Sequence, residues 1–516
     1  MQKIELNKDF LKALDLMENS NKNIFITGKA GTGKSTLLQY FREKTNKQVV
    51  VLAPTGVAAL NVKGETIHSF FGLKPDVTVE KIQPVDEEIY RNIDTLIIDE
   101  ISMVRADLLD CVDKFLRLNG RYRNKPFGGT QVIVIGDLYQ LPPVVTEKER
   151  DFFKERYKSE YFFDSDAFKS VEWEFIELEK VYRQEDEQFI RILNEIRNGK
   201  ISQDSLSLLN SRVGARVGKG GYTVHLTAHN ETARKINQQK LEELYGKTYT
   251  FYAQISGNFE EDSYPTDYKL LLKKNAQVMM LNNDADDRWV NGSVGKIVDV
   301  LRGREEETIL VQFPNLRIEE VTPYEWDIFH YRYNRRKRQI ETDVIGFFRQ
   351  YPLKLAWAIT IHKSQGKTFD NVIIDLSKRF FAPGQLYVAL SRCRSLKGVS
   401  LTREVTESDV RVDYRVMRFL NHFQCEYWHK QTPSAEQLSV IEEAMREGKY
   451  IRIVYLKANN ERIIRVLKPK QLGNFSFEGK TFHGLRAYCL EKREMRTFRT
   501  DRILSVEIIQ DEEVLR

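Results

Sequence analysis

Residues Ile26 to Thr36 read ITGKAGTGKST, and no other stretch restricts the fold as tightly. Gly28 to Ser35 satisfy the spacing G-x-x-x-x-G-K-[ST], a loop whose backbone N–H groups and following helix N-terminus cradle phosphates. Such a loop works only between a strand and a helix. The flanks comply: Asn23-Ile24-Phe25-Ile26 is a short apolar strand, and Thr36-Leu37-Leu38 opens a helical pattern. The chain is therefore expected to hold ATP or GTP through Gly28, Ala30, Gly31, Thr32, Gly33, Lys34, Ser35 and Thr36. Lys34 is expected to reach the β and γ phosphates and Ser35 to hold Mg²⁺. Many unrelated machines share this loop, so what the nucleotide drives has to be read elsewhere.

Further strands of the same kind recur at residues 49–53, 95–98 and 132–135, each followed by a loop and a helical pattern. That alternation signals a parallel α/β sheet whose functional loops sit at the strand C-terminal ends. A second series lies at residues 223–227, 355–359 and 372–376. Between about residues 248 and 347 the pattern changes to short alternating segments broken by Gly, Asn and Pro, such as NAQVMMLNND and VNGSVGKIVDV. These read as a small β-barrel inserted into the second α/β unit. After Pro433 a helix leads to the strand-rich segments IRIVYL, IIRVLKP and LSVEII. The expected domains are residues 1–180 with a small insertion near 62–90, residues 181–247 with 348–430, an insertion at 248–347, and residues 431–516.

A length of 516 residues agrees with several cores. No apolar run is long enough to span a bilayer and no leader resembles a signal peptide, so no membrane partner is expected. Cys111, Cys393, Cys425 and Cys489 are scattered without a C-x-x-C, which supports neither a zinc site nor a disulfide framework. A cytoplasmic protein is expected, associated with the nucleoid if the source is bacterial. The net charge of +6 is concentrated in residues 449–516, where 15 Lys and Arg face 9 Asp and Glu. That tail is either a footprint for an anionic polymer or a solvated basic surface.

Two strand ends carry the remaining chemistry. LIIDEISM, Leu96 to Met103, delivers Asp99 and Glu100 to the tip of a buried strand. Asp99 suits a Mg²⁺ shell, and Glu100 is placed to polarise a water for attack on the γ-phosphate. VIVIGDLYQLPPV, Val132 to Val144, ends a third strand in Asp137 and Gln140. An amide there can report whether the γ-phosphate is present.

Taken in order, GKAGTGKS, APTGVAA, GETIHSFF, LIIDEISM and GDLYQLPPV resemble the motifs of superfamily-one helicases, in particular the Pif-type (petite integration frequency) branch, relatives of RecD. The second half agrees through VYRQEDEQFIRILNEIRNG, LTAHNETARKIN, LAWAITIHKSQGKTFD and GQLYVALSRCRS. The resemblance covers residues 20 to about 425. It implies an α/β fold of two RecA-like parallel-sheet domains, ATP and Mg²⁺ in the cleft between them, an SH3-like β-barrel insertion and single-stranded DNA as the track. Arg183 and Arg392 would then reach the γ-phosphate from the second half, with Gln365 and Gly366 beside it. Catalysis would rest on Lys34, Glu100, Gln140, Arg183 and Arg392, and the metal on Ser35 and Asp99.

DNA contacts implied by the resemblance are Pro54, Thr55, Gly56, Thr66, His68 and Ser69 in the first half, and Thr227, Asn230, Thr360, His362 and Lys363 in the second. Hydroxyls, backbone amides and a few cations at loop tips suit phosphate contacts that carry no sequence information. Phe70-Phe71 is either a wedge at a duplex junction or core packing. HYRYNRRKR, His330 to Arg338, is either a DNA grip or a solvated hairpin tip. One departure from the family pattern is Phe10, which stands where a glutamine that reads adenine is usual. The tail resembles a WYL-type domain, in which Arg486, Arg493, Arg496, Arg499 and Arg502 form a pocket for phosphate or nucleic acid, or Arg499 and Arg502 are structural ion-pair partners of Asp501 and Glu507.

The expected activity is an ATP-dependent DNA helicase moving 5′ to 3′ as a monomer on single-stranded DNA and opening forked or tailed duplex. The family implies RNA–DNA hybrids and G-quadruplexes as further substrates, and roles in DNA repair, recombination and telomere maintenance. The competing readings are a ligand-sensing P-loop regulator and a passive single-strand binding protein.

Overall fold

The computed structural model describes residues 7–509 apart from 75–76, 185, 218–220, 258, 260, 304–305, 378–379, 381, 432–433, 458–461 and 478–479. The helix boundary expected at Pro433 lies outside the described residues. The chain divides into two compact units: Met1–Arg197 with Ile201–Arg411, and Asn198–Lys200 with Val412–Arg516.

The first unit is built on two parallel sheets. The larger contains β1 (Asn23–Gly28), β2 (Val49–Ala53), β3 (Glu65–Thr66), β4 (Thr95–Ile98), β5 (Gln131–Gly136) and β6 (Trp173–Leu178), in the order β3-β2-β4-β5-β1-β6. Every residue of β4 and β5 is buried, as expected when helices cover both faces of a parallel sheet. Helix Lys8–Asn19 covers one face by burying Phe10, Ala13 and Met17, a spacing of three and four residues that keeps them on one side. Asn7 caps that helix by accepting a hydrogen bond from the Phe10 N–H at 2.9 Å.

The smaller sheet orders Ala358–Thr360, Thr223–Thr227, Asn371–Ile374 and Val399–Leu401, all parallel. Here the structure corrects the expected strand at residues 355–359. Leu353–Leu355 pairs antiparallel with Gln277–Met280 of the insertion, and only Ala358–Thr360 joins the parallel sheet. Gln277 makes the division possible: its side-chain amide donates to the Thr223 and Ala356 carbonyls at 2.8 and 2.7 Å. It thereby supplies a partner to backbone carbonyls where the chain passes from one sheet to the other.

Among the described residues the inserted region forms three antiparallel sheets. Five strands run in the order Ile318–Val321, Thr308–Gln312, Val294–Leu301, Gln277–Met280 and Leu353–Leu355, around Val278, Met280, Ile297, Ile309 and Val311. Tyr249–Tyr252 pairs with Lys269–Leu272. The third sheet carries a long hairpin, Tyr324–Asn334 with Gln339–Gln350, edged by Gln254–Gly257.

That hairpin lies against the first sheet. Tyr331 is buried, its hydroxyl accepts from the Val51 N–H at 3.1 Å, and its own N–H donates to Glu65 at 3.3 Å. Ile340 N–H donates to the Gln48 side chain at 2.6 Å, and Arg335 pairs with Glu88 at 2.7 Å. Phe70 packs edge-on to Tyr331, Phe71 and Tyr90, and Phe71 against Phe115. Phe70 and Phe71 are each 3% exposed, so this pair is core and not a junction wedge.

The second unit contains helices Tyr414–Gln431 and Ser434–Glu447 and one antiparallel sheet. Its strands run in the order Glu494–Arg499, Lys480–Cys489, Arg462–Phe477, Tyr450–Leu456 and Ile503–Ile509. Ile441 and Ala444 pack on Ile451, Ile453, Leu467 and Leu485. Among the described residues no helix is long and apolar enough to cross a membrane.

Candidate functional site: a phosphate-binding cleft between two sheets

The phosphate loop joins β1 to helix Lys34–Lys44. Gly31 and Gly33 adopt φ of +82° and +87°, the left-handed region that disfavours a side chain. A Cβ on Gly31 would lie 2.5 Å from that of Arg183, and one on Gly33 would lie 3.0 Å from the Phe10 ring. Lys34 Nζ donates to the Gly28 and Lys29 carbonyls at 2.8 and 3.1 Å. Burial lowers its pKa, and the charges of Asp137, Glu100 and Asp99 oppose that shift. The ammonium is thus held by its own loop in the place where phosphate oxygens would replace the carbonyls.

The tip of β4 presents the two carboxylates. The Asp99 N–H donates to the Leu52 carbonyl at 2.9 Å, while Glu100 turns away with φ of +49°. That conformation costs a non-glycine residue roughly 1 kcal/mol or more and directs the side chain into the cleft. Burial raises both pKa values; Glu100, with Asp99 beside it, is pushed up to about 7. Ser35 and Asp99 offer hard oxygen donors. One carboxylate and a hydroxyl that leave the remaining positions to water and phosphate oxygens fit Mg²⁺.

The opposite wall comes from the second sheet and the segment leading to it. The cleft has a volume of roughly 1450 Å³ and is lined by Lys34, Ser35, Glu100, Gln140, Arg183, Gly366 and Arg392. Tyr182 N–H donates to the Gly31 carbonyl at 2.9 Å. Next to it, Arg183 donates to the Ser391 and Gly366 carbonyls at 3.4 and 3.3 Å. Gln184 donates to the Ser391 and Cys393 carbonyls at 2.9 and 3.1 Å. Arg392 is 1% exposed and donates to the Val388 carbonyl and the Ser391 hydroxyl at 3.0 and 2.9 Å. Burial, with Arg183 close by, pushes its guanidinium down to about 9. Gln365 reaches across to donate to Gln140 at 3.3 Å. A cation this deeply desolvated gains most when a compensating anion arrives.

The positions expected to contact DNA lie at or after strand C-terminal ends, but their side chains differ in availability. Pro54, Thr55 and Gly56 follow β2, and Thr55 caps helix Gly56–Asn61 by accepting from the Ala58 N–H at 3.3 Å. A side chain at Gly56 would collide with Ser263 of the insertion. Thr66 accepts from the Ser69 N–H at 3.1 Å, and the Ser69 hydroxyl donates to Glu65 at 2.8 Å. Asn230 and Lys363 are exposed, and His68 and His362 are half-buried, with burial lowering the His362 pKa. Thr227 and Thr360 are buried; Thr360 accepts from the Lys363 N–H at 3.4 Å. Those two side chains shape their loops.

In HYRYNRRKR the root of the hairpin is structural. Arg332 pairs with Glu341 and Asp343, and Lys337 with Glu341 at 2.8 Å. In the C-terminal unit Arg499 makes a two-pronged pair with Asp501, Arg496 pairs with Glu494, and Glu507 pairs with Arg452. Of the five arginines singled out there, Arg496 and Arg499 thus form separate ion pairs along the sheet. Sequence reasoning passed over Tyr182, Gln184, Arg197 and Tyr387, all of which touch the cleft or its supports. The signal for Tyr387 lay within GQLYVALSRC, where it reads as one more apolar helix residue.

Two parallel sheets sharing one phosphate cleft, with the loop on one and arginines from the far side, define a P-loop motor of the superfamily-one helicase class. Residues 5–206 match the PIF1-like helicase family, residues 355–397 the UvrD-like helicase C-terminal domain and residues 436–508 the WYL domain. The chain is 34% identical to the ATP-dependent DNA helicase Pif1 of Bdellovibrio bacteriovorus, across 82% of this chain and 93% of that one. Its fold matches crystal structures of Bacteroides Pif1, at 37% identity over 82% of this chain and 98% of theirs. The TM-score is 0.75 for the complex with ADP-AlF4 and 0.59 for that bound to single-stranded DNA. The chain belongs to the PIF1-like helicase family and carries a WYL domain at its C-terminal end.

Proposed function

We propose that this chain is an ATP-dependent DNA helicase that walks 5′ to 3′ on single-stranded DNA and separates duplex ahead of it. The observation that carries the reading is the convergence of Lys34 and Glu100 from the first half with Arg183 and Arg392 from the second on one cleft. Lys34 exchanges its loop carbonyls for β and γ phosphate oxygens. Glu100 accepts a proton from the attacking water. Arg183 and Arg392 neutralise charge that develops on the γ-phosphoryl group, and Gln140 with Gln365 registers its departure. Mg²⁺, held by Ser35 and Asp99, would neutralise charge on the β and γ oxygens.

Because the arginines belong to the far wall, turnover requires a closed cleft, and loss of the phosphate releases it. The loops carrying Pro54–Gly56, Thr66–Ser69, Asn230 and His362–Lys363 then grip the strand alternately through its phosphates. A Bacteroides relative is known bound to single-stranded DNA, which supports such a strand as the track. The domain assignment that supports this cycle is residues 1–180 and 181–247 with 348–430 as the RecA-like pair, 248–347 as the insertion and 431–516 as the WYL domain. Forked duplex is the expected substrate, with RNA–DNA hybrids and G-quadruplexes as further ones, and a monomer is the translocating form.

The test is ATP turnover with and without single-stranded DNA, together with unwinding of duplexes carrying either a 5′ or a 3′ tail. Strong stimulation with unwinding from the 5′ tail alone is expected. Unwinding from the 3′ tail would overturn the polarity, and turnover indifferent to DNA would overturn the motor.

A further inference from the structure

One hydroxyl links the phosphate loop to the far wall of the cleft. Helix Gln385–Ser391 runs directly into Arg392, and Tyr387, on its first turn, is 4% exposed. The Ala30 N–H of the phosphate loop donates to the Tyr387 hydroxyl at 3.2 Å. The hydroxyl donates in turn to Asp137 Oδ2 at 3.4 Å. The same carboxylate oxygen accepts from the Gln140 side chain at 3.3 Å. Arg197 faces the other oxygen at 3.7 Å and stacks its guanidinium 4.1 Å from the Tyr139 ring centre.

The direction of these bonds matters. A tyrosine hydroxyl can accept from an N–H and donate to a carboxylate at once; a phenylalanine would fill the same space and do neither. Asp137 is 1% exposed and Arg197 4%, so an unmade bond here has no water to replace it. Arg392 rides on the same helix through the Val388 carbonyl and the Ser391 hydroxyl, so any shift of the helix moves its guanidinium.

We propose that Tyr387 is a positioning residue of the ATP cycle: its hydroxyl seats the helix that carries Arg392 on the phosphate loop and passes the state of that loop to Asp137 and Gln140. The proposal rests on the motor reading above. Burial and the Asp137 charge raise the phenol pKa, which keeps the proton available for donation at neutral pH.

Tyr387→Phe in the full chain tests it. With saturating single-stranded DNA, kcat falls about tenfold, the equivalent of one lost buried hydrogen bond, while the KM for ATP stays within about twofold. The melting temperature and DNA affinity remain near wild type. A tyrosine that only packs would leave kcat within about twofold, and that result overturns the proposal.

Where the substitution lowers the melting temperature, an Arg392→Ala background decides. There Tyr387→Phe changes turnover by less than about twofold, because the group it positions is gone; a full tenfold loss in that background overturns the proposal. Failure of the motor reading is distinguishable. Wild-type turnover would then ignore DNA, and the same comparison of kcat and KM on basal turnover would still judge Tyr387.

Discussion

The two halves meet the nucleotide cleft by different means. The first half supplies backbone, Lys34 and two carboxylates at the C-terminal ends of buried strands: the loop after β1, and Asp99 and Glu100 after β4. The second half supplies long side chains: Arg183 and Arg392, held mainly by carbonyls of their own half, and Gln365, which reaches Gln140 across the cleft. A cradle made from strand ends is fixed by the sheet, whereas guanidiniums on a helix and a connector move with the half that carries them. In the proposed cycle, binding of nucleotide would therefore belong to the first half and its hydrolysis to the pair.

That division can be broken by experiment. The largest expected effect is from Arg392→Ala, which lowers DNA-stimulated turnover about a thousandfold while fluorescent-nucleotide binding is retained. A comparable loss of nucleotide binding would mean that the far wall also holds the ground state. Glu100→Gln is expected to lower turnover at least about a hundredfold, again with nucleotide bound. As Glu100 must be ionised to accept a proton and its pKa is pushed up to about 7, kcat/KM should fall as pH drops below about 7. The glutamine variant should lose that limb of the profile.

Arg183→Lys retains the charge but loses the fork that spans the Ser391 and Gly366 carbonyls. Turnover should fall about tenfold, less than for Arg392, since the point charge survives. The smallest effect sharpens the other side of the comparison, the framework of the second half. Asp409 is held at about 2 by hydrogen bonds from Arg403 and, at the helix start, from Thr406. A depressed carboxylate stabilises the fold above its unfolded pKa and loses that stabilisation as pH falls from about 4 towards 2. Asp409→Asn should cost about 1 kcal/mol at neutral pH, measured by denaturant unfolding, and make the acid limb shallower, with turnover at neutral pH unchanged.

The phosphate loop and the acidic strand tip were legible because their residues are contiguous and only one backbone geometry satisfies them. The arginines were legible only through the family pattern, since nothing local to VYRQ or LSRC points towards a phosphate. The Ala30–Tyr387–Asp137 bridge was not legible at all. Tyr387 lies 250 residues or more from each of its two partners, and a tyrosine inside an apolar helix carries no mark of them. The run from Leu353 to Thr360 misled for another reason: hydrophobic continuity cannot show that a chain changes sheets, which depends on the Gln277 amide. Phe70-Phe71 gave no direction either, because an aromatic pair reads the same whether its partner is DNA or Tyr331.

The way Tyr331 enters the aromatic cluster of the first sheet bears on how this chain can be shortened or rebuilt. Excising residues 248–347 to obtain a minimal engine would strip Phe70 of the Tyr331 ring, Glu65 of the Tyr331 amide and the Val51 amide of the phenol it meets. The root of the hairpin is therefore a keystone shared between sequence-distant parts, while its turn at residues 335–338 is exposed and open to redesign. Grafts, labels or altered strand-gripping tips belong at that turn, and a cut at the border of the insertion severs the contacts of Tyr331 with the first sheet.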